Sequence, residues 1–193
     1  EIWLPTEARF VVQGGLQAEG TADSPIVFKA NPNNVGPWQH IHFDGSLGPN
    51  LLRHVVVEGA SQGPHPVHDR AAVTAWFADV TMEDMVVTHN ESNPIYAEHS
   101  NIVLVNSTIH SDVTGDLINV RHGSGWIDSC TFIGNDQTDT DAIDYDVVDG
   151  GVVQNCILRD FTGPNSDGID LGEGSQNTFI SNTFIHRCSD KGV

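Results

Sequence analysis

The chain has 193 residues, with 8 Lys+Arg against 26 Asp+Glu and a formal net charge of −18 at pH 7. That length suits one domain, and 38% apolar residues with 19 Gly is the composition of a chain that folds rather than of an acidic disordered tail. So little basic surface excludes a nucleic-acid partner or an anionic-membrane binder, and no apolar run reaches the ~18 residues that would predict membrane insertion.

Residues 1–60 come first and have irregular spacing. They carry the phrases GGLQAEGTADSPIVFKA (14–30), Trp38 followed by IHF (41–43), and LLRHVVVEGA (51–60). Stretches rich in Pro and Gly at 31–37, 46–50 and 61–68 are expected to bulge as loops. No composition break separates this section from residues 61–193.

From residue 61 a repeat governs the sequence. The tetrad DAID at 141–144 returns as DGID at 167–170, and in register the chain shows a column Asp69, Asn93, Asp116, Asp141, Asp167, Asp190. Two residues on stand Ile95, Ile118, Ile143 and Ile169; two further stand Ala97, Val120, Tyr145 and Leu171. This period of two predicts a strand with one buried face, and points Tyr96, Asn119, Asp144 and Asp170 outward.

A second segment repeats at the same interval. Met82, Leu104, Ile127, Val153 and Ile180 make one inward column, and Val87, Ile109, Phe132, Leu158 and Ile185 another. The polar column between them, Asp84, Asn106, Ser129, Asn155 and Asn182, reads as an asparagine ladder at a turn. Beside it run Met85, Ser107, Cys130, Cys156 and Thr183, which predicts Cys130 and Cys156 as stacked, buried free thiols. Three Cys cannot form a disulfide framework.

Repeats of about 23–26 residues without helical periodicity predict an all-β solenoid of about seven coils. The reading is one domain over 1–193, with N-terminal coils in 1–60 and regular coils in 61–193. These columns and the N-terminal phrases resemble the right-handed parallel β-helix proteins of the pectate-lyase-like superfamily, of the bacterial secreted type. The resemblance implies a right-handed parallel β-helix and an extracellular or cell-surface location. The chain stops at Val193 just as a coil begins, so further coils are expected to dock at that edge.

The chemistry concentrates on one face. Asp144 and Asp170 fall on adjacent rungs, where two carboxylates about 5 Å apart repel by ~1 kcal/mol in water. The candidate offset is Ca2+, held by Asp144, Asp146 and Asp170 with Asp141, Asp167 and Glu173 at the margin, since clustered hard oxygens suit that ion. A cross-rung pair between Arg121 and Asp146 is a second offset. A solvated face on which Asp141 and Asp167 cap their own turns is a third.

Two functions compete. One is a non-catalytic, Ca2+-stabilised module binding a polysaccharide or a cell-surface protein. The other, implied by the resemblance, is a polysaccharide-degrading enzyme: a uronate lyase with Arg121 or Lys191 near the substrate, a glycoside hydrolase using paired Asp, or an epimerase. The DGIDLGE stretch lacks the Pro-His of alginate epimerases. The absence of a basic cluster favours the module. Among ten His, His40 and His42 are expected outward on a strand, His65 and His68 in a loop, and His99 and His122 stacked at a turn. Trp38 and Trp126 are expected to pack against coils.

Overall fold

In the computed structural model, which describes residues 1–65 and 70–193, the chain is all-β: three parallel sheets stacked as a solenoid of about seven turns. Sheet A has eight strands, from Ile2–Leu4 to Phe184–Cys188; sheet B has seven, from Phe10–Val12 to Ile169–Gly172; sheet C has seven, from Leu16–Glu19 to Phe179–Ser181. Each coil visits B, then C, then A. Asn93–Glu98, Asn101–Val105 and Thr108–His110 make up one such turn.

The Ile column of sheet B pairs rung to rung as Ile95, Ile118, Ile143 and Ile169. The other two inward columns also pair as predicted, but on different sheets: Met82 to Ile180 on sheet C, Val87 to Ile185 on sheet A. What the period of two presents as one segment is thus two strands meeting at a corner.

The polar column is that corner. Asp84, Asn106, Ser129, Asn155 and Asn182 all have φ between 46° and 57°, a region that favours residues able to satisfy their own backbone locally. Amides bond from coil to coil in part as foreseen: Asn106 Nδ2 donates to Asp84 Oδ1 and Asn182 Nδ2 to Asn155 Oδ1 (2.7 Å), while at Ser129 the ladder steps aside and Asn155 Nδ2 donates to Asp128 Oδ1 (2.9 Å). One residue inward, Ser107, Cys130, Cys156 and Thr183 each donate to the carbonyl two residues back. Cys130 and Cys156 are buried and free.

A second corner, between sheets B and C, has Phe77, His99, His122 and Val147 at φ 46–55°. Phe77, His99 and His122 stack at 4.5 and 5.0 Å between ring centroids, as expected for the two His.

Three sequence expectations need correction. His40 is fully buried rather than outward, its ring 5.3 Å from that of His42. Trp38 does join the core, but Trp126 stands 46% exposed on the outer side of sheet C. The Asp column is also shorter than its letters suggest. Asn93 pairs with Ala71, while Asp69 and His68 lie outside the described residues. At the other end Lys191, not Asp190, stands level with Asp167, because Gly168 N bonds to Lys191 O.

One core position shows how a large residue enters a narrow column. Tyr145 follows Ala97 and Val120 on the same inward line. A Cβ on Gly125 would lie 2.4 Å from its hydroxyl oxygen, and one on Gly151 2.5 Å from its ring. Two glycines of sheet C's coils therefore make the room, and Tyr145 Oη donates to Gly125 O (3.2 Å). Gly125→Ala is expected to overpack this site and destabilise the fold by about 1–3 kcal/mol, whereas Tyr145→Phe, which keeps the volume, costs only ~1 kcal/mol for the hydrogen bond. Thermal unfolding of the two variants checks the order.

Candidate functional site

The candidate residues lie on the outer side of sheet B and in the loops that lead into it. Asn119, Asp144 and Asp170 form one column on strands Ile118–Arg121, Ile143–Asp146 and Ile169–Gly172. Asp116, Asp141 and Asp167 stand just before those strands, and Arg121 and Asp146 at their far ends. Each set arises because the repeat returns the same position to the same place.

The outward face is not uniformly open. Tyr96 is 1% and Asn119 6% exposed, so these outward positions are covered. Arg70 lies over the Tyr96 ring at 5.3 Å, and Tyr96 Oη donates to Glu98 Oε2 (2.7 Å). The column is open at its first coil, where Val11 is exposed, closes over Thr74, Tyr96 and Asn119, and opens again on the later coils, where Asp144 is half-buried and Asp170 exposed.

Asp141 and Asp167 act as caps, but for the next coil rather than for their own turns. Asp141 Oδ1 accepts the Asp167 amide (2.6 Å) and Asp167 Oδ1 accepts the Lys191 amide (2.7 Å). Lys191 Nζ also reaches Asp167 (3.3 Å) and Asp190 (2.7 Å). Arg121 lies 4.0 Å from Asp146 and 3.6 Å from Glu173, so the predicted cross-rung pair exists but is long. Lys191 and Arg121 belong to opposite ends of the sheet B rungs and lie three coils apart, with backbones on the order of 20 Å from one another at ~3.3 Å per residue and ~4.8 Å per rung. The structure does not bring these two together.

Asp116 completes the cluster. Sequence reasoning placed it in the turn column without giving it a site role. Its Oδ2 accepts from Asn119 Nδ2 (3.3 Å), and the same nitrogen donates to Asp144 Oδ2. Asn119 Oδ1 is buried with no hydrogen-bond partner. The Asn at the position that carries Asp in the next two coils was the available signal.

Burial first, then the mutual repulsion of these carboxyls, raises their affinity for protons. Asp141 is pushed up to about 7 and Asp144 to about 8. Burial also raises Asp116 and Asp146, the latter opposed by Arg121. At Gly172, which pairs with Asp146, a Cβ would fall 2.6 Å from Asp146 Oδ1 and 3.7 Å from Asp144 Oδ1. The missing side chain leaves a small cradle with two carboxylate oxygens beside it. Among the described residues no group of three His, Cys, Asp or Glu side chains is already arranged to hold a metal ion.

No family model matches the chain, and no curated protein matches it. Among solved structures it is similar to HetL, a pentapeptide repeat protein involved in heterocyst differentiation regulation from the cyanobacterium Nostoc sp. strain PCC 7120. The identity is 13%, over 98% of this chain and 90% of that one, with a TM-score of 0.17.

The raised carboxyls have a consequence for stability. A folded-state value above the unfolded 3.8 means that the folded chain binds more protons, so stability falls as pH rises from about 4 through the folded values. Without added cations, Tm is expected to rise by several degrees between pH 8 and pH 5, at ~2–4 °C per kcal/mol for this chain length. Asp144→Asn is expected to raise Tm at pH 8 and flatten the profile. Calorimetric scans across that range check both.

Proposed function

We propose that this chain is a non-catalytic, Ca2+-stabilised extracellular module that binds a polysaccharide. The observation that carries the reading is the break in side-chain stacking at Asp144. Elsewhere a carboxylate is met by an Asn amide on the adjacent coil: Asp79 by Asn101 (3.0 Å), Asp139 by Asn165 (2.8 Å), Asp149 by Asn177 (2.8 Å), and Asp84 by Asn106. Asp144 has Asn119 on one side but Asp170 on the other. A cation supplies there what an amide supplies elsewhere.

The donors on this face are all hard oxygens, which suits Ca2+ rather than a transition metal. Asp144 and Asp146 would supply the two oxygens beside the Gly172 cradle, and the exposed Asp170 and Glu173 would have to turn toward it, since the described side chains are not already arranged around it. Bound there, Ca2+ would compete with the proton of Asp144. Asp141 and Asp167, engaged by backbone amides, stay outside that shell. The pectate-lyase-like resemblance in the repeat supports the extracellular, glycan-directed part of the reading.

Two observations favour binding over elimination chemistry. A lyase needs a base close to its neutralised carboxylate, but Arg121 is turned to Asp146 and Glu173, and Lys191 to Asp167 and Asp190. One observation favours glycoside hydrolysis as the second reading. Asp144 keeps its proton near neutral pH beside Asp170 on the next rung, at about the 5 Å spacing of a retaining acid–nucleophile pair.

Ca2+ is expected to raise Tm, more at pH 8 than at pH 5 because it competes with protons, and EDTA to reverse the shift. Asp144→Ala and Asp170→Ala are each expected to abolish the response. A calorimetric titration showing no effect of Ca2+ on the wild-type chain would sink the cation. Incubation with pectate, alginate or chondroitin is expected to yield neither unsaturated uronate nor new reducing ends; either product overturns the non-catalytic reading.

A further inference from the structure

Sheet C carries a second outward column with a different character. Leu51, Thr81, Val103, Trp126, Val152 and Phe179 pair in register on successive coils. On the outside of a sheet such positions are commonly polar. Here five of the seven positions, counting Gln17 level with Leu51, are apolar, and Trp126 and Phe179 are exposed.

The earlier rungs of this column form the floor of a groove of about 490 Å³, within the ~300–1,000 Å³ range of ligand pockets. Both walls are polar and fixed from rung to rung. On one side Asn101 takes Asp79 Oδ1 through its backbone and side-chain nitrogens (2.8 and 3.0 Å), and Ser124 Oγ donates to Asn101 Oδ1 (2.7 Å). On the other, Arg53 is held by Glu83 (2.6 Å) and Glu19 (2.8 Å).

We infer that this groove binds an uncharged, extended β-linked glycan lying along the solenoid axis, with its ring faces on the Leu51–Thr81–Val103 floor and its hydroxyls against the Asp79–Asn101 and Arg53–Glu83 walls. A pyranose in such a chain has that cross-section: apolar C–H groups on its faces and hydroxyls around its rim. The rung repeat of about 4.8 Å is close to the length of one sugar unit, so each unit faces one rung of the floor and one polar residue of each wall. Trp126, on the rung after Val103, extends the platform with an aromatic face.

The walls decide against other occupants. The single guanidinium is already shared by two carboxylates, so the groove has net negative charge and repels a polyuronate. A peptide strand has nothing to pair with, because the floor strands are hydrogen-bonded on both sides within sheet C and strand addition needs an open edge. The inference rests on the polysaccharide-binding part of the proposed function, but not on the cation, which concerns sheet B.

The test is isothermal titration of the intact chain with cellohexaose and N-acetylated chitohexaose, and with hexagalacturonate as the polyanionic control, each with Ca2+ and with EDTA. At least one uncharged hexamer is expected to bind with or without Ca2+, and the galacturonate not to. Thr81→Arg, which fills the centre of the floor, and Trp126→Ala, which removes the aromatic end, are each expected to weaken binding at least tenfold at unchanged Tm. Failure of both uncharged hexamers overturns the groove even if the Ca2+ response is intact, and so does binding that survives both sheet C variants. Binding lost on adding EDTA moves the glycan to sheet B, which overturns the groove while leaving the proposed function standing. Glycan binding without any Ca2+ response supports the groove and removes the cation.

Discussion

Parallel pairing in register, coil upon coil, is the constraint on which every other feature depends. Because strands such as Asn93–Glu98, Ile118–Arg121 and Ile143–Asp146 align residue for residue, each side chain meets its own counterparts about 4.8 Å away on either side. Apolar columns gain from this, as the Ile stack does. Rings gain as well, as Phe77, His99 and His122 do at their shared corner. Asn gains most among polar residues, since it carries both donor and acceptor and can bond to a copy of itself. A carboxylate carries only acceptors and loses by the same geometry. The chain's abundant Asp therefore has to be managed coil by coil.

Three devices manage it. Asn on a neighbouring coil meets Asp79, Asp84, Asp139 and Asp149. Backbone amides of the next coil meet Asp141 and Asp167. At Asp128 two side-chain amides, from Asn155 and Gln154, hold the carboxyl below its ordinary value. Asp144 shows the limit of these devices, because half of its surroundings is another carboxyl and burial keeps it protonated to about pH 8. The acidity of the whole chain says little about function; the one stack that the amide rule leaves unresolved says more.

The inward columns were legible in the sequence because they are long, periodic and apolar, and the all-β solenoid came from them. The asparagine ladder and the two stacked thiols were legible because they recur at the same interval beside those columns. The split of the second segment into sheets C and A was not, because the corner residues adopt left-handed φ without glycine. The buried outer face around Tyr96 and Asn119 was hidden too: period-two alternation reports which side of a strand a residue takes, not whether that side is covered. The shift from Asp190 to Lys191 slipped past because an acidic letter one residue early mimicked the column. Among the candidate site residues, the pairing of Asp144 with Asp170 was readable from spacing alone. The part played by Asp116 was not, because it depends on Asn119 bridging two coils.

Trp126 shows how the same register logic reaches the outer surface. Taken singly, a tryptophan in a repeat protein is an expected core residue, and the four Trp do not share a column. Its meaning comes from its neighbours Val103, Thr81 and Leu51, which are ordinary letters until the sheet C register places them in line. A solenoid turns any outward position into a straight track at a fixed repeat. Where that track is apolar and its walls are hydrogen-bonded in advance, little conformational entropy remains to be lost when a ligand settles on it. Sheet B has the opposite character, with charge crowded at one point and no track. The proposed cation on one face and the proposed polymer on the other follow that difference in character, and register alone keeps the two faces apart.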